Sequence, residues 1–166
     1  GVGLEQRGLD ALEKDKRVIR VERPLSARKV GATTKYSVAD SYLRFWLRFI
    51  APHMELLLRG RSELVVKRIL EDWPTYRGKA IEPLVRQSIE NVLPHRDLEG
   101  ALHVGSYWTR AGNVEVDLVG ADRPASPATI AFVGSIKWRE KKPFSRADLH
   151  RLIRHRDQVP GAERAK

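Results

Sequence analysis

The sequence contains no cysteine and no apolar run long enough to cross a bilayer. Without cysteine, disulfides and thiolate metal sites are excluded. An apolar stretch of about 18 residues and a cleavable signal pattern are also missing. These absences exclude a disulfide-stapled secreted protein, and they predict a soluble, cytoplasmic chain that has no membrane partner.

A nucleotide-binding loop is missing as well. The chain has no Gly-rich phosphate loop that ends in Lys-Ser or Lys-Thr, and it has no other recognisable nucleotide cradle. We therefore expect this chain to bind no nucleotide and to hydrolyse no ATP.

Positive charge is in excess. The 166 residues include 31 Lys and Arg against 21 Asp and Glu, and the first 61 residues carry 13 basic against 7 acidic side chains. Such a surplus attracts polyanions through counterion release, although ribosomal, heparin-binding and membrane-surface proteins share it. The charge favours nucleic acid as a partner without specifying it.

The first half of the sequence has the pattern of short helices around one hairpin. A short amphipathic helix is predicted over Leu4 to Asp15, followed by strands near residues 18–22 and 36–38 with a basic loop between them. Asp40 is the predicted cap of a helix that Pro52 ends. Four aromatic residues repeat at helical spacing in that helix and are predicted to be core: Tyr42, Phe45, Trp46 and Phe49.

Two further helices are predicted before the pattern changes. Ser62 can cap a helix that runs to about Asp72, where Trp73-Pro74 marks its end. The next helix carries a stripe from Ile81 to Val92 and contains Pro83, which predicts a late start or a kink.

In the remainder the apolar period falls from 3.6 to 2. Strands are predicted over residues 103–108, 114–119 and 130–138, and Ser145 is the predicted cap of a last, arginine-rich helix. Together these elements predict a mixed α/β protein.

Charged residues fall on single faces of the last two predicted strands. Alternation places Glu115, Asp117 and Val119 on one face, and it places Ser135 together with Lys137 on the next strand. One interpretation is a structural salt bridge between Lys137 and Asp117. The other is a phosphodiesterase site, in which carboxylates hold Mg²⁺ or Mn²⁺ and lysine faces the phosphate.

Five segments carry a resemblance to a known family. YSVADSYLRFWLRFIAP, YRGKAIEPLVRQ, VGSYW, NVEVDLVG and GSIKW resemble, in order and spacing, the C-terminal region of archaeal-type AAA-like ATPases. In that family an ATPase module precedes a winged helix, and the tail is a domain of unknown function that resembles the PD-(D/E)xK nucleases. Since Gly1 is not methionine and the chain closes on a polar tail, we expect a fragment without its ATPase module.

The resemblance implies a site and a loss within it. Glu82 matches the acid of the first helix, Asp117 the metal ligand of the second strand, and Lys137 the lysine of the E-x-K element, with Glu115 as an accessory acid. Ser135 stands where an active E-x-K motif has glutamate. A serine hydroxyl is a poor ligand for Mg²⁺ or Mn²⁺, so we expect weak metal binding and a degenerate endonuclease site.

The resemblance also implies a domain plan and a partner. Residues 1–52 are expected to be a partial winged helix-turn-helix, residues 53–74 a helical connector, and residues 75–166 a restriction-endonuclease-like αβββα core. DNA is the expected partner, besides the protein's own ATPase module and a second copy of the chain. The candidate nucleic-acid contacts are Arg7, Arg28, Lys29, Lys35, Arg151 and Arg154.

Two alternatives stay open. The chain could be a protein-interaction or regulatory module of the ATPase that binds no DNA. A third possibility is an active metal-dependent endonuclease in which Glu115 replaces the missing carboxylate.

Overall fold

A computed structural model describes residues 7–27 and 34–166. They form a mixed α/β structure with two small antiparallel sheets. The chain divides into two compact units, made of the described residues of Gly1–Glu22 and Lys35–Lys79, and of Arg23–Thr34 and Ala80–Lys166. In the part of the chain that is described, no helix is long and apolar enough to cross a membrane.

The first unit contains the predicted hairpin. Strand β1 (Ile19–Glu22) pairs with β2 (Lys35–Val38) in antiparallel register, with Ile19 opposite Val38. A helical segment precedes β1 and ends in a π-helical turn, Ala11–Asp15. These elements lie where the β-branched and leucine patterns predicted them.

The helix after β2 begins at the predicted cap but does not end at the predicted proline. The Asp40 carboxylate accepts the Leu43 backbone N–H at 2.6 Å, which fixes the start of helix α1 (Ser41–Phe45). The chain continues through a π-helical turn (Trp46–Ile50) and a 3₁₀ turn (Ala51–His53) into α2 (Met54–Leu58). Pro52 lies in the first positions of the 3₁₀ turn, where a missing N–H costs nothing.

The aromatic stripe forms only part of the core. Phe49 is buried and packs against Phe45 and Tyr76, with ring centroids 5.2 and 5.1 Å away. Tyr42, by contrast, is 73% exposed, so its prediction as a core residue is wrong. The π-helical turn after Phe45 changes the angular spacing that a regular helix would have given.

Helix α3 (Ser62–Glu90) is one continuous helix of 29 residues. Its predicted end at Asp72 is wrong, and both Pro74 and Pro83 lie inside it. Proline weakens a helix interior. Side-chain packing stabilises α3 against this effect, since Trp73 stacks on Tyr76 in the first unit, with ring centroids 5.7 Å apart.

The second unit is built on a three-stranded antiparallel sheet in the order β3–β4–β5. The strands are β3 (His103–Trp108), β4 (Glu115–Ala121) and β5 (Ile130–Gly134). Helix α4 (Arg146–Arg156) follows, capped by Ser145 as predicted. Its Leu152 packs on a cluster that includes Tyr107 and Val116, while Val85 and Ile89 of α3 pack on a second cluster around Phe132. Because neighbouring strand residues face opposite ways, the two helices cover opposite faces of the sheet.

Candidate functional site

A β-bulge in β4 sets the direction of Asp117. Tyr107 pairs with Val116 and Gly105 pairs with Val119, so two residues of β4, Asp117 and Leu118, face a single residue of β3. The predicted alternation therefore fails: Val119 is buried in the same cluster as Val116, while Leu118 joins the other cluster. Bulges of this kind redirect side chains and are common beside active sites.

One oxygen of the Asp117 carboxylate accepts hydrogen bonds from three donors. Its Oδ2 accepts the Ser135 hydroxyl at 2.9 Å, the Ile136 backbone N–H at 2.8 Å and the Lys137 ammonium at 3.4 Å. The Asp117 side chain is 13% exposed and that of Lys137 is 35% exposed. The predicted pairing of Asp117 with Lys137 is thus present, within a network that also includes Ser135.

Strand β5 ends before these donors. The strand was predicted to run to Trp138, but its pairing stops at Gly134, opposite Leu118. Beyond that point the Ile136 N–H is satisfied by Asp117, and the Ile136 side chain packs on the Phe132 cluster. The Asp117 carboxylate thus accepts the hydrogen bond that a neighbouring strand would otherwise accept. It also holds the Ser135 and Lys137 side chains on the same side of this segment.

Helix α3 brings two more charged side chains to this network. Arg86 donates to the backbone carbonyl of Asp117 at 3.1 Å. Burial raises the pKa of Glu82, the negative charge of Asp117 and that of Glu115 raise it further, and Arg86 and Lys137 oppose the shift. Glu82 therefore favours its protonated form more than an exposed glutamate does.

Replacing Glu82 with glutamine should stabilise the protein at neutral pH. The pKa of Glu82 is raised in the folded protein. Its contribution to the free energy of unfolding is therefore full below the pKa of the unfolded chain, and it is lost as pH rises through the folded pKa. Glutamine stays neutral at every pH. Urea denaturation at about pH 4 and about pH 7 checks this, with a gain for Glu82→Gln expected only at the higher pH.

The exposed Glu163 provides the control for this measurement. Glu163→Gln should change the free energy of unfolding little at either pH. A loss of stability in Glu82→Gln at neutral pH would show that the ionised carboxylate has a supporting role.

The residues of the network do not fit a Mg²⁺ or Mn²⁺ site. Within residues 7–27 and 34–166, no three histidine or acidic side chains converge in a group that could hold a metal ion. Asp117 Oδ2 already accepts three protein donors, and Ser135 turns its proton toward that oxygen. These cations prefer several carboxylate and water oxygens, which this arrangement does not present.

A second carboxylate fixes the chain just beyond the network. Asp148 of α4 accepts hydrogen bonds of 2.8 Å from both terminal guanidinium nitrogens of Arg139. It also accepts hydrogen bonds from the N–H and the hydroxyl of Ser145. The Arg139 guanidinium lowers the pKa of Asp148 far below its usual range, with Ser145 adding to the effect. The capping pattern Ser145-x-x-Asp148 was visible in the sequence, but the arginine clamp was not.

A shallow cleft of about 270 Å³ lies beside the network. Its lining consists of Ile81, Ile136, Lys137, Trp138 and Arg139. Lys137 thus contributes both to the cleft and to the ion pair with Asp117. Sequence reasoning missed this cleft, because the strand predicted over residues 130–138 in fact ends at Gly134.

Comparison with known proteins places the chain in a family. A family model described as archaeal and bacterial proteins of unknown function, DUF234, matches residues 46–151, which is more than half of the chain. The chain belongs to this family. The matched region includes Glu82, Asp117, Ser135 and Lys137, so the whole network lies within the residues that the DUF234 model matches.

One curated relative is an uncharacterized protein of Methanocaldococcus jannaschii. It is 21% identical over 150 residues, which cover 87% of this DUF234 chain and 32% of the relative. The chain thus spans about a third of that protein's length. No solved structure matches the chain.

The predicted nucleic-acid contacts occupy several places in this DUF234 protein. Arg151 and Arg154 are exposed on α4, whereas Arg7 and Lys35 are exposed in the first unit. Arg28 and Lys29 lie outside the described residues. Of the four that lie in the described part of the chain, only the α4 arginines belong to the same unit as the Asp117 network.

Proposed function

We propose that this chain is a nucleic-acid-binding arm of a longer ATPase whose nuclease-like core binds DNA without cleaving it. The observation that carries this proposal is the threefold occupation of Asp117 Oδ2 by Ser135, Ile136 and Lys137. A carboxylate so engaged serves as a structural anchor for a lysine that faces solvent, rather than as a metal ligand.

The order of elements supports a nuclease-like core. The second unit runs helix, three antiparallel strands, helix, which is the αβββα order that the resemblance implies. A helical segment followed by the β1–β2 hairpin likewise supports a winged-helix remnant in the first unit. The ATPase module itself is proposed from the resemblance alone.

Charge supports DNA as the partner. The segment from Lys137 to Arg156 is rich in basic side chains, several of them exposed. Cations of this kind bind phosphates whatever the base sequence and release counterions when they do so. In this arrangement Lys137 neutralises a phosphate, Asp117 holds Lys137 in position, and Arg151 and Arg154 contact neighbouring phosphates.

Salt dependence tests this function. The full chain should bind fluorescently labelled single-stranded and duplex DNA with an affinity that falls steeply as salt rises. The double variant Arg151→Gln, Arg154→Gln should reduce the slope of log K against log salt by about two, because each phosphate contact contributes about one. The same samples on a denaturing gel should show intact DNA in Mg²⁺ and in Mn²⁺.

A charge-matched variant gives the control. Arg110→Gln combined with Arg164→Gln removes two exposed cations that lie outside α4, and it should leave the slope nearly unchanged. Cleavage that depends on metal and disappears in Asp117→Ala would overturn the non-cleaving interpretation. Absence of binding at low salt would overturn DNA binding altogether.

Exposed apolar side chains favour a second candidate, a protein-interaction module of the ATPase. Leu58 of α2 and Val66 and Leu70 of α3 are exposed, with Leu70 at 67%. Exposed apolar side chains mark a protein interface where they lie together in one patch. Tight binding to the ATPase module together with no affinity for DNA at low salt would favour this candidate.

A further inference from the structure

The cleft beside Asp117 combines an aromatic surface with cations. Trp138 lines it and is 49% exposed, while Ile81 and Ile136 supply apolar walls. Lys141 and Lys142 follow a few residues later and are exposed. An exposed tryptophan among cations is the arrangement by which proteins hold single-stranded nucleic acid, since the ring stacks on a base and the cations meet the backbone.

The segment that carries Trp138 is held at both ends. On one side the Ile136 N–H binds the Asp117 carboxylate at 2.8 Å. On the other side the Arg139 guanidinium forms two hydrogen bonds of 2.8 Å to Asp148. Because two carboxylates bind its neighbours, the backbone that carries Trp138 is held in place, and little backbone entropy is lost when a ligand stacks on the indole.

The cleft size indicates what it holds. At about 270 Å³ it lies just below the range of about 300–1,000 Å³ in which drug-sized ligands are enclosed. One flat heteroaromatic ring suits it better than a whole enclosed cofactor. Inside a duplex both faces of each base are covered by its neighbours, so away from the duplex ends only an unpaired base offers a free face to an indole.

From these observations we infer that the cleft holds one unpaired base of single-stranded nucleic acid, stacked on Trp138, with the adjoining phosphate at Lys137. This inference rests on the proposed function and refines it: the strand has to be single-stranded where it meets the cleft. The phosphate contacts of α4 can form with single-stranded or duplex DNA, whereas stacking on Trp138 requires a single strand.

The test compares three ligands of equal length on the full chain: an oligothymidylate, a duplex, and an abasic strand that keeps the phosphates but has no bases. The wild type should prefer the oligothymidylate to the abasic strand by about 5- to 150-fold, the range that stacking of one base gives. Trp138→Ala should abolish this preference and leave affinity for the duplex and the abasic strand unchanged. Trp138→Phe, which keeps an aromatic face, should retain most of it.

The outcomes separate the two proposals. If the wild type binds none of the three ligands at low salt, the proposed function and this inference both fail. If it binds all three equally well, or if Trp138→Ala weakens binding to all three alike, the base-stacking inference fails and DNA binding stands. The comparison of ligands on the wild type needs no variant, so it holds even where Trp138→Ala folds poorly.

Discussion

Asp117→Ala should destabilise the second unit by about 2–4 kcal/mol. The substitution removes the acceptor of the Ser135 hydroxyl, the Ile136 N–H and the Lys137 ammonium in one step. The two uncharged donors come from partly buried residues, so water restores their hydrogen bonds incompletely. Loss of the repulsion between Asp117 and Glu82 offsets a minor part of this effect. Urea denaturation followed by circular dichroism measures it.

Two milder variants show whether the network explains the loss. Ser135→Ala removes a single donor and should cost about 0.5–1.5 kcal/mol. Lys137→Met removes a partly exposed ion pair and should cost less than about 1 kcal/mol. An Asp117→Ala protein that is more stable than the wild type would contradict this prediction. That outcome is expected of a metal-binding acid cluster, in which like charges repel while no cation is bound.

The sequence predicted the sheet better than the helices. Strand β3 was placed correctly at both ends, because the alternation from His103 to Trp108 is regular and bounded by turns. Helix α3 was predicted as two helices, because Pro74 and Pro83 are strong local breakers. Their cost is opposed by packing of Tyr76 on Phe49 and of Val85 on the Phe132 cluster, which no local pattern reveals.

The members of the candidate site were predictable, and so was the pairing of Asp117 with Lys137, but the other connections were not. Sequence parity brought Ser135 and Lys137 together, and the structure places both on Asp117. The bulge that sets the direction of Asp117 depends on pairing between β3 and β4, so it has no local signal. For the same reason, the Arg139–Asp148 clamp could not be predicted, since it joins a loop to a helix through side chains alone.

Gly120→Ala should destabilise the protein by about 3 kcal/mol, the upper end of the range for overpacking, an effect comparable to the loss of Asp117. A Cβ at Gly120 would overlap the ring of Phe132, which faces it across the β4–β5 ladder. Phe132 is buried, and the clash involves three of its ring atoms, so a small rotation of the ring does not relieve it. The strands have to separate instead.

Separation of β4 from β5 reaches the site directly. Leu118 pairs with Gly134, one residue from both Asp117 and Ser135, so a shift there alters the geometry on which Lys137 depends. We therefore expect Gly120→Ala to weaken DNA binding as well as stability, in a combined urea and DNA-affinity measurement. Gly78→Ala is the matched control: Gly78 lies in α3 with nothing near its Cβ position, and alanine there should add about 0.5–1 kcal/mol. Equal stability losses in the two variants would contradict this account, because only Gly120 lies against a buried ring.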